Sequence, residues 1–415
     1  MKIKIQYQNL ILTIVILVNA TSAYSQLPDI NNSIDKLRKV TLIVHAKPAE
    51  TIQVEQLSHE FWFGCAISNS AFSGFMAEDD KKNYKEKFLE NFNSAVTENA
   101  VKWGNMEPRK GNVNYSTVDA ILNWTDENNI PLRGHNIFWG IEQFVQPWLK
   151  ELDDEELEQT LQQRAETLTA RYKGRFVEYD LNNEMIHGNY YEDRLGPDIT
   201  KKMAEWCKNG DPEIKLYVND YDVLTGNKLA DYMADIRKLL KQGVPLAGIG
   251  VQGHLHGETF SRTALKNALD SLAVFNLPIR ITEFNMPGQR SKYYENRNLK
   301  MTPEEAKQNA RELVDYYRIC FAHPAVEGII MWGFWEGANW ISFSSMYNRD
   351  WTPTPLAEAY QNLVFHEWWT TENKKADNKG VVEITGFYGN YKVTVNGKSK
   401  EVSLTKDAGI LKLSF

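Results

Sequence analysis

Two glutamates in this chain are placed to do chemistry as a pair. Glu184 closes the run Tyr179-Asp180-Leu181-Asn182-Asn183-Glu184, and Glu283 follows Thr282 at the end of Ile279-Arg280-Ile281. A glycosidic bond is cleaved by two carboxyl groups flanking the anomeric carbon. One protonates the leaving oxygen while the other attacks the carbon or activates a water. A lone Glu at the end of an apolar run is usually a solvated loop acid, but here two such residues sit among Asn, Gln, His and Trp. Further polar and aromatic side chains close other apolar runs: Glu98 and Asn99, His135, Tyr221 after Asn219-Asp220, Gln252 with His254 and His256, and Trp332.

The elements that must position these residues are short apolar, β-branched or aromatic runs alternating with helical patterns. The runs are Phe61 to Ile67, Ser94 to Glu98, Leu132 to Ile137, Phe176 to Leu181, Leu216 to Asn219, Gly248 to His254, Ile279 to Phe284 and Gly328 to Phe334. Between them lie amphipathic segments such as Asp154 to Lys173, Lys228 to Gly243 and Pro303 to His323. Strict alternation of strand and helix implies a parallel sheet, and this number of repeats predicts an α/β fold, a (β/α)₈ barrel, over residues 58–369. The C-terminal ends of such strands carry the chemistry, so the polar run-ends above are expected on one rim.

Flanking segments break the alternation. Residues 26–57 read as a short N-terminal β segment with a turn near Lys47-Pro48. Residues 370–380 read as a linker, and 381–415 as a C-terminal β extension with turn signals at Gly389-Asn390 and Asn396-Gly397. The extension is short enough to be a packed appendage rather than an independent carbohydrate-binding module.

Residues 1–25 have the layout of a cleaved signal peptide: Lys2 and Lys4, an apolar run from Leu10 to Val18, then Ala23-Tyr24-Ser25. The apolar run is too short for a bilayer span, which needs about 20 residues. A secreted or periplasmic chain is the expectation. Losing those two lysines takes the formal charge from −7 to −9, and no long basic stripe remains, so nucleic acid is not an expected partner. Cys65, Cys207 and Cys320 have no metal-ligand spacing and are expected as buried thiols, with one bridge left open. The 12 Trp on an acidic chain suit a carbohydrate ligand, since aromatic faces stack on sugar rings while carboxylates accept hydroxyl hydrogen bonds.

The run Tyr179 to Glu184 and the pair Thr282-Glu283 resemble the strand-four and strand-seven signatures of glycoside hydrolase family 10, the retaining endo-1,4-β-xylanases. Arg133 to Trp139, Glu98-Asn99 with Lys102-Trp103, Asn219-Asp220-Tyr221 and Gln252-Gly253-His254 follow in the family's order, and the likeness covers roughly Phe61 to Trp369. The resemblance implies Glu184 as acid/base and Glu283 as nucleophile in a double displacement on xylan. It implies sugar contacts from Glu98, Asn99, Lys102, His135, Trp139, Asn183, Tyr221, Gln252, His254, Trp332 and Trp340, with no cofactor and no metal, in a monomer. Asn183 is expected at the sugar 2-hydroxyl, and Trp332 and Trp340 as walls of the glycone side.

This chain departs from the family pattern in two places. Asn285 stands where the family has Asp, which removes a negative charge beside His254 and predicts a less readily protonated imidazole than in relatives. Gly140 stands where most members have His. With Gln146-Pro147-Trp148 and the run Trp332 to Gly337, it resembles the plant-type branch. Two decoys carry less weight. Gly248 to Gly253 matches a dinucleotide fingerprint but continues as a strand, and His254-x-His256 has no third ligand at fixed spacing for zinc. An endo-β-glucanase or mixed-linkage hydrolase remains an alternative substrate reading, and a non-catalytic glycan-binding barrel an alternative class.

Overall fold

The computed structural model describes residues 30–296 and 298–415; the signal-peptide reading of residues 1–25 lies outside them. Residues 30–38 are helical and lead into strands β1 (Lys39–His45) and β2 (Thr51–His59). The barrel follows as β3 (Trp62–Ile67), β4 (Ser94–Thr97), β5 (Leu132–Gly134) with the short β6 (Phe138–Trp139), β7 (Glu178–Asn183), β8 (Leu216–Asp220), β9 (Leu246–His256), β10 (Ile279–Gln289) and β11 (Val326–Met331). All neighbours pair in parallel, and β5 also pairs with β7, so the sheet closes on itself as the (β/α)₈ barrel that the alternation implied. β4, β7 and β8 are buried at every position, as strands wrapped by helices on one side and barrel interior on the other must be.

Local chemistry sets the helix limits. Thr302 and Glu305 form a reciprocal capping box ahead of Pro303–Phe321, with Pro303 in the first turn. Asp153 caps Asp154–Arg171 by accepting from the Glu156 backbone N–H at 2.9 Å. Gly243, at φ +82°, ends Leu229–Gln242 in the left-handed conformation that glycine adopts without strain.

The flanking segments differ from expectation. The N-terminal strands do not form a separate layer; with the C-terminal ones they build a single sandwich. Residues 370–380, expected as a linker, contain strand β12 (Thr371–Lys375), which pairs with β2. β13 (Val381–Phe387), β14 (Gly389–Val395), β15 (Lys398–Leu404) and β16 (Leu411–Ser414) complete two sheets, ordered β13-β1-β16 and β12-β2-β14-β15. Gly389-Asn390 is therefore a crossing between sheets rather than a hairpin turn. Asn396-Gly397 is the tight β14–β15 hairpin, with φ values of +49° and +74°. Leu42, Val44, Ile52, Val54, Ile384, Tyr391 and Val393 fill the space between the sheets.

The sandwich seats on the N-terminal face of the barrel, away from the polar strand ends. The Arg38 guanidinium ties the two together by donating to the carbonyls of Phe321, His323 and Val326 at 2.7–2.8 Å. Cys65, Cys207 and Cys320 are free and buried, which excludes the bridge. Among the described residues, no helix is long and apolar enough to cross a membrane.

Candidate active site

Glu184 directly follows β7 and Glu283 lies in β10, the fourth and seventh barrel strands, on the C-terminal rim. Both have left-handed backbones, φ +61° and +56°, a conformation that costs a non-glycine residue about 1–3 kcal/mol and recurs where side chains are aimed for function. The register explains how Glu283 is aimed. Thr282 pairs with Gln252 and Asn285 with His254, so β10 carries one extra residue there, and this bulge turns the Glu283 carboxylate into the barrel mouth.

Each carboxylate has its own partners. Glu283 Oε1 accepts from Asn219 Nδ2 at 2.9 Å, and Oε2 lies 3.0 Å from His254 Nε2. Glu184 Oε1 accepts from Gln252 Nε2, and Oε2 from Trp139 Nε1, each at 2.8 Å. These contacts separate the acidities. Burial would raise Glu283, but the hydrogen bond from His254 and the charges of His135, His254 and Lys102 outweigh it and hold the carboxyl at about 2. Glu184 is pushed above the usual carboxylate range, first by burial and then by the charge of Glu283, more strongly than Gln252 and Trp139 pull it down. One group is kept ionised and the other is biased toward holding a proton, the division of labour that acid and nucleophile require.

The layer behind His254 is defined by Asn285. Its Oδ1 accepts from Trp340 Nε1 at 3.0 Å and lies 2.9 Å from His254 Nδ1, while Nδ2 donates to Trp332 O and Ser344 Oγ. An indole N–H can only donate and a carbonyl can only accept, so the amide orientation is fixed. Both ring nitrogens of His254 therefore face acceptors, Asn285 on one side and Glu283 on the other. The arrangement is fully hydrogen-bonded only when both nitrogens carry protons. Asn285 keeps the accepting role of an Asp toward His254 but carries no charge, and its Nδ2 supplies donors that a carboxylate lacks.

The remaining predicted residues gather around this pair. His135 packs edge-on against Trp332, with ring centroids 5.1 Å apart, and is held by Asp180 at 2.8 Å. Lys102 Nζ donates to Asn99 Oδ1 at 3.0 Å and sits over the rings of Trp139 and Trp332. Burial lifts Glu98 to about 7 against the pull of Lys102 and Asn99. Asn183 Oδ1 accepts from Asn219 Nδ2 at 3.0 Å, whereas its buried Nδ2 has no partner among the described residues and is an open donor for a ligand oxygen. Tyr221 stacks on His187, centroids 3.6 Å apart, and His187 is anchored to Asp220 at 2.7 Å. Trp139 and Gln252, expected as sugar contacts, hold the Glu184 carboxylate.

Several members of the site carried no assigned role in the sequence reading. Asn219 couples Asn183 to Glu283 through one amide. Phe144 stacks under Trp139, centroids 3.9 Å apart and planes 18° apart. Arg133 and Arg280, with Glu178 and Asp180, form a buried ion network beneath the site that orients His135; Arg280 reaches Glu178 at 3.0 Å. Gly140 also has a reason: a β-carbon there would lie 3.2 Å from Gly188 O and 3.3 Å from the Tyr191 ring, so the chain at 188 occupies the space a side chain would need. His256 pairs with Asp222 at 3.3 Å, apart from His254's partners. Among the described residues, no group of three or more His, Cys, Asp or Glu is placed to hold a metal ion.

The family profile for glycosyl hydrolase family 10 matches residues 54–364, which includes every residue of this rim. The chain belongs to glycosyl hydrolase family 10. Among similar proteins, the anti-sigma-I factor RsgI6 of Acetivibrio thermocellus is 35% identical over 398 residues, 93% of this chain and 49% of that protein. Endo-1,4-beta-xylanase 1 of Arabidopsis thaliana is 33% identical over 372 residues, 87% of this chain and 37% of that protein. The chain thus spans half or less of these relatives' lengths. Xylanase 10B from Thermotoga petrophila, solved with xylobiose, superposes with a TM-score of 0.66 at 24% identity over 74% of this chain and 95% of that one, a likeness of fold. The family 10 barrel therefore holds the two carboxylates and their surround as its C-terminal rim.

Proposed function

We propose that this protein is a secreted endo-1,4-β-xylanase that hydrolyses internal linkages of xylan with retention of configuration. The observation that carries the reading is the pair itself: Glu283 held ionised by His254, His135 and Lys102 against its burial, and Glu184 biased toward its protonated form by burial and by Glu283. In the first step the Glu283 carboxylate attacks the anomeric carbon while Glu184 gives its proton to the departing glycosidic oxygen, leaving a glycosyl ester on Glu283. In the second, the Glu184 carboxylate takes a proton from water as the water oxygen attacks the same carbon and frees Glu283. Two inversions give net retention. The open Asn183 amide donor supplies a bond to the 2-hydroxyl that tightens as positive charge develops on the ring.

Xylan as substrate is supported by the Arabidopsis xylanase relative at 33% identity, and action outside the cytoplasm by the basic, apolar, small-residue order of residues 1–25. We place the protein as a monomer acting without cofactor. The anti-sigma-I relative, at 35% identity, favours a second reading in which the barrel binds glycan without cleaving it. Both carboxylates and their polarised surroundings speak for catalysis.

Product analysis on xylan, arabinoxylan and carboxymethyl cellulose decides among these. Xylo-oligosaccharides released first as the β-anomer, and abolished by Glu184→Ala and by Glu283→Ala, are expected. Release that survives both substitutions refutes the mechanism, cleavage of carboxymethyl cellulose in preference to xylan moves the assignment to a glucanase, and retention of xylan without cleavage favours the binding reading.

A further inference from the structure

Beyond Glu98 and Asn99 the cleft does not end. These two residues also border an open cavity of about 420 Å³ whose far side is formed by the segment between β3 and the helix Glu78–Asn91, with Ala338 closing it from the last barrel loop. Three features of that segment have no role in the chemistry above. Phe75 is 92% exposed, far more than any other large apolar side chain among the described residues, and it stands at the cavity's edge. Asn69 Oδ1 and Ser73 Oγ line the same cavity and are buried without a hydrogen-bond partner. A fully exposed phenyl ring is unfavourable in water, and unpaired buried oxygens cost about 1–3 kcal/mol each. A flat apolar face beside unsatisfied oxygens matches a sugar ring, whose C–H face stacks on an aromatic while its hydroxyls donate to oxygens.

We infer that Phe75, Asn69 and Ser73 form a further sugar-binding subsite at the glycone end of the cleft, which takes one more pentose ring than the residues around Glu283 hold. The inference rests on the xylanase reading. The ring belongs either to the xylan main chain or to an arabinofuranosyl branch; both are pentose rings with C–H groups to pack on an aromatic and free hydroxyls to donate. Such a site adds binding energy remote from the cleaved bond, so it raises kcat/KM for long or branched substrates and leaves the shortest ones alone.

The test compares kcat/KM of the full chain and of Phe75→Ala, Phe75→Trp and Asn69→Ala on linear xylo-oligosaccharides from three to six sugars and on arabinofuranosyl-substituted ones. Phe75→Ala is expected to lower the value about fivefold for the longest or the branched substrates, the loss of about 1 kcal/mol of stacking, while xylotriose changes by less than about twofold. Phe75→Trp, which keeps an aromatic face, is expected to retain the activity of the unaltered protein on the same substrates. A loss confined to long linear substrates assigns the site to the main chain, and one confined to branched substrates assigns it to arabinose. Equal losses on every substrate, or none, overturn the subsite while leaving the xylanase reading intact. Absence of hydrolysis of any xylo-oligosaccharide by the unaltered protein overturns both.

Discussion

Trp139→Phe separates the acid/base from the rest of the site. The change keeps an aromatic ring stacked on Phe144, whose centroid is 3.9 Å away, and removes only the N–H that Glu184 Oε2 accepts at 2.8 Å. A hydrogen bond to a charged acceptor contributes about 1.5–3 kcal/mol, against about 0.5–1.5 for a neutral one. Its loss therefore destabilises the Glu184 carboxylate relative to the carboxyl by about 1 kcal/mol. With about 1.4 kcal/mol per pH unit, the proton is held about 0.7 unit more firmly. Glu184 must carry that proton to cleave the bond, and the proton is lost on the alkaline side. The alkaline limb of kcat/KM against pH should thus move upward by about 0.7 unit. The acid limb, set by Glu283 with its own partners Asn219 and His254, should stay in place. The assay is kcat/KM for a xylo-oligosaccharide across overlapping buffers at constant ionic strength. An alkaline limb that stays put or moves down refutes both the assignment of Glu184 as the acid and the role given to Trp139.

Asn285→Asp places a negative charge 2.9 Å from His254 Nδ1, behind the contact that His254 makes with Glu283, so the pH profile of kcat/KM should change; an unchanged profile refutes a role for the amide's missing charge. Asn183→Ala should lower kcat by more than it raises KM, by about 10- to 100-fold, because the open amide donor acts chiefly on the transition state; a pure KM effect contradicts this. Arg133→Met leaves Glu178 and Asp180 buried with less counter-charge and should cost about 3–5 kcal/mol of stability by calorimetry, with a loss below about 1 kcal/mol as the contrary result. Glu178 is held at about 2 because the charges of Arg280 and Arg133 outweigh its burial, so its contribution is present above the ordinary carboxylate range and is lost as pH falls toward 2. In Arg133→Met that loss should begin at higher pH.

The barrel was legible because each strand is buried on both faces and reads as a short apolar run, and because the helices between carry caps such as Thr302 with Glu305. β9 and β10 run further than their apolar cores suggest, to His256 and Gln289, since strand pairing continues through polar rim residues that hydrophobicity does not mark. The carboxylate pair was legible from its place at strand ends. What surrounds it was legible only as residue types. That Gln252 and Trp139 bond Glu184, or that Asn219 bridges Asn183 and Glu283, depends on contacts between strands distant in sequence. The polar text of 371–375 resembled a linker because an edge strand with one solvated face needs few apolar residues to pair with β2.

The sandwich has a consequence for how the protein is made. Its β1 pairs Lys39 with Phe387 and, on the other edge, Leu42 with Leu411, so β1 finds its partners only in strands synthesised after the whole barrel. Until then Leu42, Val44, Ile52 and Val54 have no cover. Pairing across so long a loop is slow, and an unpaired apolar strand is open to aggregation and proteolysis in the interval. The barrel can close while the sandwich waits for its later strands. A chain that stops short of residue 381 therefore advertises itself to quality control by the uncovered β1 and β2, whatever the state of its catalytic rim.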